Sequence, residues 1–186
     1  MNPMPAIYLV TGNPNKLKEL QAVFPKSASL KQAELDIDEI QSDDLEHIVT
    51  DKLEKAFKAL GKPVIVEDVS AELACLNGLP GPFIKYFEKH LGKGALWQLA
   101  EHVKDHSATI RCTMGYYDGT IKHIVSGIVT GHVVSPRGKI GWGFDFVFVP
   151  DGHSRTSAEM GPEEKNKISH RALAARQMQA ILFPEE

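Results

Sequence analysis

Cysteines, long apolar runs and an excess of one charge are all scarce in this sequence of 186 residues. It has only two cysteines, Cys75 and Cys112, whose spacing is not that of a metal site and whose neighbours are apolar. We therefore predict two reduced core thiols, as is usual in a cytosolic protein. No stretch approaches the length of a membrane-spanning helix, and the N-terminal segment MNPMPAIYLV lacks the basic region of a signal peptide. The sequence thus predicts a cytoplasmic protein without a membrane partner.

The charges nearly balance, with 21 Lys and Arg against 24 Asp and Glu and a net charge of −3. This balance excludes a general attraction to nucleic acid, so any anionic ligand must be held by a local cluster of positive charge. The hydrophobic fraction of 42% is that of an ordinary globular protein. The length suits one domain over residues 1–186.

Hydrophobic periodicity and turn residues predict alternating strands and helices at the start of the chain and a long hairpin later. The predicted strands are 6–11, 28–37, 64–68, 107–117, 121–134 and 145–149, and the predicted helices are 15–24, 43–60, 83–91, 93–104 and 169–182. This order indicates an α/β protein with a mixed sheet and flanking helices. The hairpin region is predicted to form a second lobe, with a ligand cleft between the lobes.

Lys52 breaks the pattern of the predicted helix 43–60. On an ideal helical wheel it falls inside the apolar arc, whereas every other lysine of this helix lies outside it. One interpretation is a lysine whose stem packs while its ammonium group reaches water. The other is an ammonium group directed at an anion or carboxylate in a cleft. The helix alone leaves both interpretations open.

Two acids, Glu67 and Asp68, follow the apolar run Val64–Val66 and are predicted to end a strand. Ligands of open α/β sheets gather at the carboxyl ends of strands, and carboxylates there suit Mg²⁺. Glu39, in the acidic stretch DIDEIQSDD, offers a further carboxylate. The alternative is that all three are solvated surface acids.

Two loops and one charged segment complete the candidates. TGNPNK, residues 11–16, joins a predicted strand to a helix, but it is not a Walker A loop and is a weak phosphate signal by itself. EEKNKISHR, residues 163–171, places basic residues around a predicted helix start at Ser169, which suits an anion site or a solvated turn. GWGFD, residues 141–145, places two aromatic side chains where they would stack on a flat ring or cover the core.

Taken in order, these pieces resemble the inosine triphosphate pyrophosphatase family, which hydrolyses non-standard purine nucleoside triphosphates. The segments that carry the resemblance are TGNPNK, LDIDEIQ, VIVED, GLPGPFIKYF, SPRG with GWGFDFVFVPDG, TSAEM and EEKNKISHR, which span residues 11–171. The resemblance implies an elongated mixed α/β fold with two lobes around a central cleft, and a homodimer. It also implies hydrolysis of the triphosphate to monophosphate and pyrophosphate with Mg²⁺, or with Mn²⁺ in its place.

The resemblance also implies roles for individual residues. Thr11, Gly12, Asn13 and Lys16 would hold the triphosphate, and Lys52 and Lys85 would face phosphate. Glu39 and Asp68 would serve the metal, and Asp68 would also activate water. Trp142, Gly143, Phe144 and Asp145 would cradle the base, while Lys165, His170 and Arg171 would read it or its neighbouring groups.

Two departures from the family pattern keep alternatives open. Val69 stands where the family usually has a hydroxyl residue, although Ser70 follows it. The order Trp142 then Phe144 reverses the commoner one, in which Phe comes first. The alternatives are a nucleotide-binding protein on the same scaffold that has lost turnover, and an enzyme acting on modified pyrimidine triphosphates.

Overall fold

The structure is a computed structural model that describes residues 6–184. In this part of the chain seven strands are present: β1 (Ile7–Val10), β2 (Leu30–Ala33), β3 (Val64–Leu73), β4 (Pro80–Gly81), β5 (Ser107–Tyr117), β6 (Lys122–Val133) and β7 (Phe148–Pro150). The α-helices are α1 (Pro14–Gln21), α2 (Leu45–Leu60), α3 (Ile84–Leu91), α4 (Ala95–Ala100), α5 (Ser157–Met160), α6 (Pro162–Ile168) and α7 (His170–Leu182). No helix within residues 6–184 is both long enough and apolar enough to span a bilayer.

The strands form a mixed sheet in the order β2-β1-β3-β5-β6-β7, with β4 paired to β3. Strand β1 runs parallel to β2, with Ile7 opposite Leu30, and parallel to β3, with Tyr8 opposite Val64. Strand β7 is antiparallel to β6, with Val133 opposite Phe148. The predicted α/β class with a mixed sheet and flanking helices is therefore confirmed.

The chain forms two compact units, each with its own core. Unit 1 comprises residues 6–68, 112–127 and 171–184, and unit 2 comprises residues 69–111 and 128–170. The core of unit 1 packs α2 on β1 and β3 through Val10, Val49, Leu53, Ala56, Val64 and Val66. The core of unit 2 contains Leu73, Ile84, Leu96, Ile110, Val133 and Phe148. The two lobes around a cleft, and the single domain over residues 1–186, stay predictions.

Helix α2 shows why the sequence folds as it does locally. The side chain of Asp44 accepts hydrogen bonds from the backbone N–H groups of Glu46 and His47, which satisfies donors that the first turn leaves open. The helix ends at Gly61, whose φ of 63° lies in the left-handed region that favours glycine. The predicted start at Asp43 lies two residues before the helix begins at Leu45, with Asp44 as the capping residue.

Three further predictions about elements were wrong. Strand β3 continues to Leu73, so Glu67 and Asp68 lie within a strand and do not end it. Residues 162–168 form helix α6, where the sequence predicted no helix and left an anion site or a solvated turn open. A 3₁₀ turn over Gly143–Phe146 replaces the start of the predicted strand 145–149, and β7 follows it. The error at residues 145–149 arises because a short apolar run fits more than one structure.

Candidate functional site

The TGNPNK loop joins β1 to α1 in unit 1, and its own side chains fix its shape. Thr11 Oγ1 accepts a hydrogen bond from the Asn13 backbone N–H at 3.0 Å, and Asn13 Oδ1 accepts one from the Asn15 backbone N–H at 3.0 Å. The second bond caps α1, with Pro14 at its first position. The loop therefore holds Gly12 in place and sets Lys16 in the first turn of the helix. The roles of these residues in holding a triphosphate stay predictions.

Lys16 forms an ion pair with Oε1 of Glu67, which is only 2% exposed. The other oxygen, Oε2, accepts a hydrogen bond from Arg171 Nε at 3.2 Å and one from the Cys112 thiol at 3.1 Å. Burial alone would raise the pKa of Glu67, but the charges of Arg171 and Lys16 outweigh it and hold the pKa well below its ordinary value. Glu67 is therefore a buried, ionised carboxylate that links β3 to the TGNPNK loop.

Arg171 lies beside this carboxylate and is 1% exposed. Its Nη1 donates a hydrogen bond to Glu19 Oε2 at 2.7 Å, and its Nη2 lies 3.2 Å from Glu67 Oε2. Burial would lower the pKa of the guanidinium, but Glu67 outweighs it, so the pKa is raised and the charge is retained. The structure thus places Arg171 in an ionic cluster of unit 1. Its predicted role in reading the base stays a prediction.

Lys52 projects from α2 toward carboxylates, in agreement with the second interpretation of its helical position. Its Nζ lies 2.6 Å from Glu39 Oε1, and its side chain is 16% exposed. Burial would lower the pKa of Lys52, but the carboxylates of Asp68 and Glu39 outweigh it and the pKa is raised. Glu67 acts on it in the same direction. Unit 1 therefore brings Lys52, Glu39 and Asp68 together, with Glu67 and Lys16 adjacent in the same charge network.

The carboxylates of Glu39 and Asp68 are the residues of unit 1 that suit a hard cation. Within residues 6–184 no group of three or more His, Cys, Asp or Glu side chains is arranged to hold a metal ion. Mg²⁺ nevertheless binds commonly through one or two carboxylates, with water and substrate phosphates as its other ligands. The donor set of these two side chains fits that mode of binding.

The predicted base residues lie in unit 2. Asp145 is 3% exposed, and its Oδ2 accepts hydrogen bonds from the Trp142 backbone N–H at 3.0 Å and from Lys165 Nζ at 2.8 Å. Lys165 Nζ also lies 5.2 Å from the centre of the Trp142 ring. These contacts join the 3₁₀ turn to α6 and place the Lys165 ammonium group beside the Trp142 ring. The structure therefore brings together Trp142, Gly143, Asp145 and Lys165.

Two aromatic rings of unit 2 face each other near this loop. The ring centres of Phe144 and His170 are 5.7 Å apart, and the planes are inclined by 48°. A small pocket lies beside them, lined by Val129, Phe144, Phe148, Pro150, Ser157, Lys165, Ile168, Ser169 and His170. Its walls are mostly apolar, and Lys165 is the cation among its lining residues.

Two candidates from the sequence contribute less to these clusters. Lys85 lies on the exposed side of α3, with its Nζ 5.2 Å from the centre of the Tyr86 ring. Its phosphate contact stays a prediction. Ser70 is 1% exposed and its hydroxyl donates to Glu72 Oε1 at 2.7 Å. The suggestion that Ser70 replaces the hydroxyl missing at Val69 therefore finds no support.

Sequence reasoning missed the supporting partners of the predicted residues. The sequence predicts Glu67, with Asp68, as a carboxylate for Mg²⁺, but an acid after three apolar strand residues also signals a buried carboxylate that needs a cation. Glu19 and Cys112 carried no such signal, because their partners, Arg171 and Glu67 respectively, are distant in sequence. Glu88, which lies against Gly143, carried none either.

Comparisons with known proteins agree with the resemblance. The sequence model of the Ham1 family matches residues 7–181. The inosine triphosphate pyrophosphatase of Schizosaccharomyces pombe is 36% identical, and the alignment covers 100% of both chains. The solved structure of a HAM1 protein from Coxiella burnetii superposes with a TM-score of 0.84 at 30% identity, covering 98% of this chain and 100% of that one. A nucleoside-triphosphatase, or dITP/XTP pyrophosphatase, from Mycobacterium abscessus gives a TM-score of 0.71 at 26% identity, covering 97% and 100%.

The likeness extends over the whole fold, and it includes the segments in which the two clusters lie. On this evidence the chain belongs to the Ham1 family.

Proposed function

We propose that this protein hydrolyses non-standard purine nucleoside triphosphates, namely ITP, dITP and XTP, to the monophosphate and pyrophosphate. In doing so it would remove these nucleotides from the cellular pool. The observation that carries the proposal is the charge network of unit 1, in which Lys52 is paired with Glu39 and its pKa is raised by Asp68. This network offers a cation for phosphate and carboxylates for a metal within one site. The names of the relatives, inosine triphosphate pyrophosphatases, support the substrate class.

A triphosphate carries about four negative charges, which a binding site must offset. Lys16 and Lys52 supply fixed positive charge, and the TGNPNK loop adds backbone N–H groups at the start of α1. We propose Lys85 as a third phosphate contact. Lys16 and Lys52 are each paired with a carboxylate in the structure, so their ammonium groups are oriented before the nucleotide arrives.

Glu39 and Asp68 would hold Mg²⁺, or Mn²⁺ in its place. When bound, the ion would neutralise phosphate oxygens and lower the pKa of its bound water. Asp68 would orient the attacking water and accept its proton, which is the role of a general base. A P–O bond then forms at the α-phosphorus, and the bond to the bridging oxygen breaks to release pyrophosphate.

We infer that the cluster of unit 2 recognises the base. Trp142 and Phe144 would contact its faces, and Lys165 would donate a hydrogen bond to the carbonyl at C6, as would His170. Hypoxanthine and xanthine carry that carbonyl, whereas adenine carries an amino group, so adenine would place a donor against a donor. A site built on such a hydrogen bond can reject the wrong base by ~10⁴-fold.

We further propose that the protein is a homodimer in the cytoplasm. The resemblance to the family supports both statements, and the net charge of −3 argues against a nucleic-acid partner. Sedimentation equilibrium at micromolar concentration would give twice the monomer mass of 20.5 kDa. A mass that stays at 20.5 kDa would contradict the dimer.

A product assay tests the reaction. ITP, XTP, GTP, ATP and CTP are incubated with the protein and Mg²⁺, and pyrophosphate is separated from orthophosphate. IMP and pyrophosphate, with ATP largely spared, are the expected result, and EDTA should stop the reaction. Release of orthophosphate would contradict attack at the α-phosphorus.

The same assay distinguishes the alternatives. Tight nucleotide binding without product would indicate a binding protein, a function that the names of the relatives do not favour. Preferential turnover of a modified pyrimidine triphosphate would change the substrate class assigned to the protein but not the reaction. The observation that favours testing pyrimidine triphosphates is the order of the aromatic residues, with Trp142 before Phe144.

A further inference from the structure

Glu88 makes an unusual contact with the aromatic loop of unit 2. It lies on α3, and its carboxyl group rests directly against the backbone of Gly143. A Cβ placed on Gly143 would lie 3.0 Å from Glu88 Oε1 and 3.2 Å from Oε2. Gly143 also has a φ of 59°, in the left-handed region. A side chain at Gly143 would therefore strain the backbone and displace the Glu88 carboxyl group.

The carboxyl group is poorly suited to carry a charge in this position. Its Oε1 is buried and has no hydrogen-bond partner within residues 6–184. A buried carboxylate without a partner is costly, so such a group tends to stay protonated. Burial, and then the charge of Asp145, raise the pKa of Glu88 to about 7.

Charged neighbours do not change this conclusion. Asp145, on the 3₁₀ turn, is a like charge, and Lys165 of α6 is already bound to it at 2.8 Å. Lys93 lies over the Phe146 ring, with its Nζ 4.4 Å from the ring centre. The other titratable side chains of α3 are Lys85, Tyr86, Lys89 and His90, and those of α6 are Glu163, Glu164 and Lys167. His170 lies beside Phe144.

We propose that Glu88 is a positioning residue for the base loop. When its carboxyl group is neutral, Gly143 packs on α3 and the turn Gly143–Phe146 is held for nucleotide binding. When the group is ionised, repulsion from Asp145 and the demand for hydration loosen this packing. The protein would then bind its nucleotide more weakly as the pH rises through neutrality. This inference rests on the proposed function, because it assigns the loop to the base.

The role is one of positioning because Glu88 acts through Gly143 and Asp145. Nucleotide affinity should therefore respond to its protonation, while the chemical step should not. A population argument gives the size of the effect. If only the neutral form is competent to bind, the apparent affinity falls about tenfold one pH unit above the midpoint.

The first test needs neither substrate nor activity. The chain has two tryptophans, Trp97 and Trp142, so Trp97→Phe leaves Trp142 as the sole indole reporter in the loop. Its fluorescence is measured from pH 5.5 to 8.5 in Trp97→Phe and in Trp97→Phe combined with Glu88→Gln. A transition near pH 7 is expected in the first protein and not in the second. A transition that persists without the Glu88 carboxyl, or none in either protein, would overturn the inference.

Two controls keep this result interpretable. Glu101→Gln removes another carboxyl group of unit 2, at the end of α4, and should leave the transition unchanged. If Glu88→Gln does not fold, Glu88→Ala replaces it as the variant without the carboxyl group. Circular dichroism at pH 6 shows whether each variant is folded. Loss of the transition in Glu101→Gln as well would assign it to a general change in charge and would overturn the role of Glu88.

The second test uses turnover. The KM for ITP of the wild-type protein should rise roughly tenfold from pH 6 to pH 8, whereas that of Glu88→Gln should stay flat, with the ratio of the two kcat values constant. A KM that rises equally in both proteins would overturn the positioning role. If ITP is not hydrolysed at all, the proposed function fails, and the fluorescence test still decides whether Glu88 controls the loop.

Discussion

Lys52 illustrates at the scale of a residue how position and partner together define a role. Its place in the apolar arc of α2 carries it toward the carboxylates of Glu39 and Asp68. The ordinary explanation, an ammonium group in water, does not describe it, because its side chain is only 16% exposed. The ammonium group of Lys52 is largely buried and already paired with a carboxylate. It can therefore bind a phosphate oxygen in place of that carboxylate.

We predict that Lys52→Met lowers kcat/KM for ITP by ~10- to 150-fold, since a charged hydrogen bond contributes about 1.5–3 kcal/mol. The melting temperature should change by only a few degrees, because methionine completes the apolar face while Glu39 is left partly solvated. Steady-state kinetics and thermal melts provide the measurement. Lys58→Met, at an exposed position of the same helix, is the matched control. A sharp drop in melting temperature with normal kinetics would make Lys52 structural.

Asp68→Asn should abolish turnover, with a loss of at least ~100-fold in kcat, because an amide cannot accept the proton of the attacking water. The isosteric change should leave the fold intact. The measurement is kcat for ITP, with the melting temperature beside it as a check on folding. Activity within a few-fold of the wild type would exclude Asp68 as the general base.

Helix α2 is the element that carries Lys52, so its ends matter to the site. Asp44 accepts hydrogen bonds from two backbone N–H groups of the first turn, and Gly61 ends the helix in the left-handed conformation. Both features are local, and both follow from general rules of helix capping. The start and end of the helix are therefore fixed independently of its packing.

We predict that Asp44→Ala lowers the free energy of unfolding by about 1 kcal/mol, the usual cost of losing an N-cap side chain. Urea denaturation followed by circular dichroism measures this change. Asp43→Ala is the control, because the neighbouring acid makes no cap contact in α2. Equal losses in both variants would mean that general charge, rather than capping, stabilises the helix start.

At the scale of the whole molecule, two buried carboxyl groups give stability opposite dependences on pH. The pKa of Glu67 is held below its ordinary value of 4.5, so its contribution is present above pH 4.5 and is lost as the pH falls below it. The pKa of Glu88 is raised from 4.5 to about 7, so stability declines as the pH rises between these values and then levels off. The two effects act on opposite sides of pH 4.5.

We predict a melting temperature that falls below pH 4.5 and that also declines between pH 4.5 and 7. Glu88→Gln should remove most of the second decline and leave the first, because it deletes the group that the folded protein keeps protonated. Scanning calorimetry from pH 3 to 8 measures both limbs. A Glu88→Gln profile that still follows the wild type above pH 4.5 would contradict this assignment.

Local rules predicted most of the elements, because each depends on a short stretch of sequence. Strand β5 has the predicted bounds, β6 differs from the prediction by one residue at each end, and α2 ends as predicted but begins two residues later. The failures lie where a short apolar run fits several structures, as at Gly143–Phe146, or where a strand continues through charged residues, as at Glu67 and Asp68. The predicted membership of a pyrophosphatase family is confirmed by the Ham1 match and by the named relatives.

The sequence by itself determined the α/β class, the TGNPNK turn, the apolar face of α2 and the family, since these depend on periodicity and on motifs that are contiguous along the chain. Only the tertiary structure decided which charges meet. Arg171 lies 104 residues from Glu67 and 152 from Glu19, and Glu67 receives Lys16 and the Cys112 thiol as well. The free energy of an ion depends on its burial and on its nearest opposite charge, and the packing of the folded chain sets both.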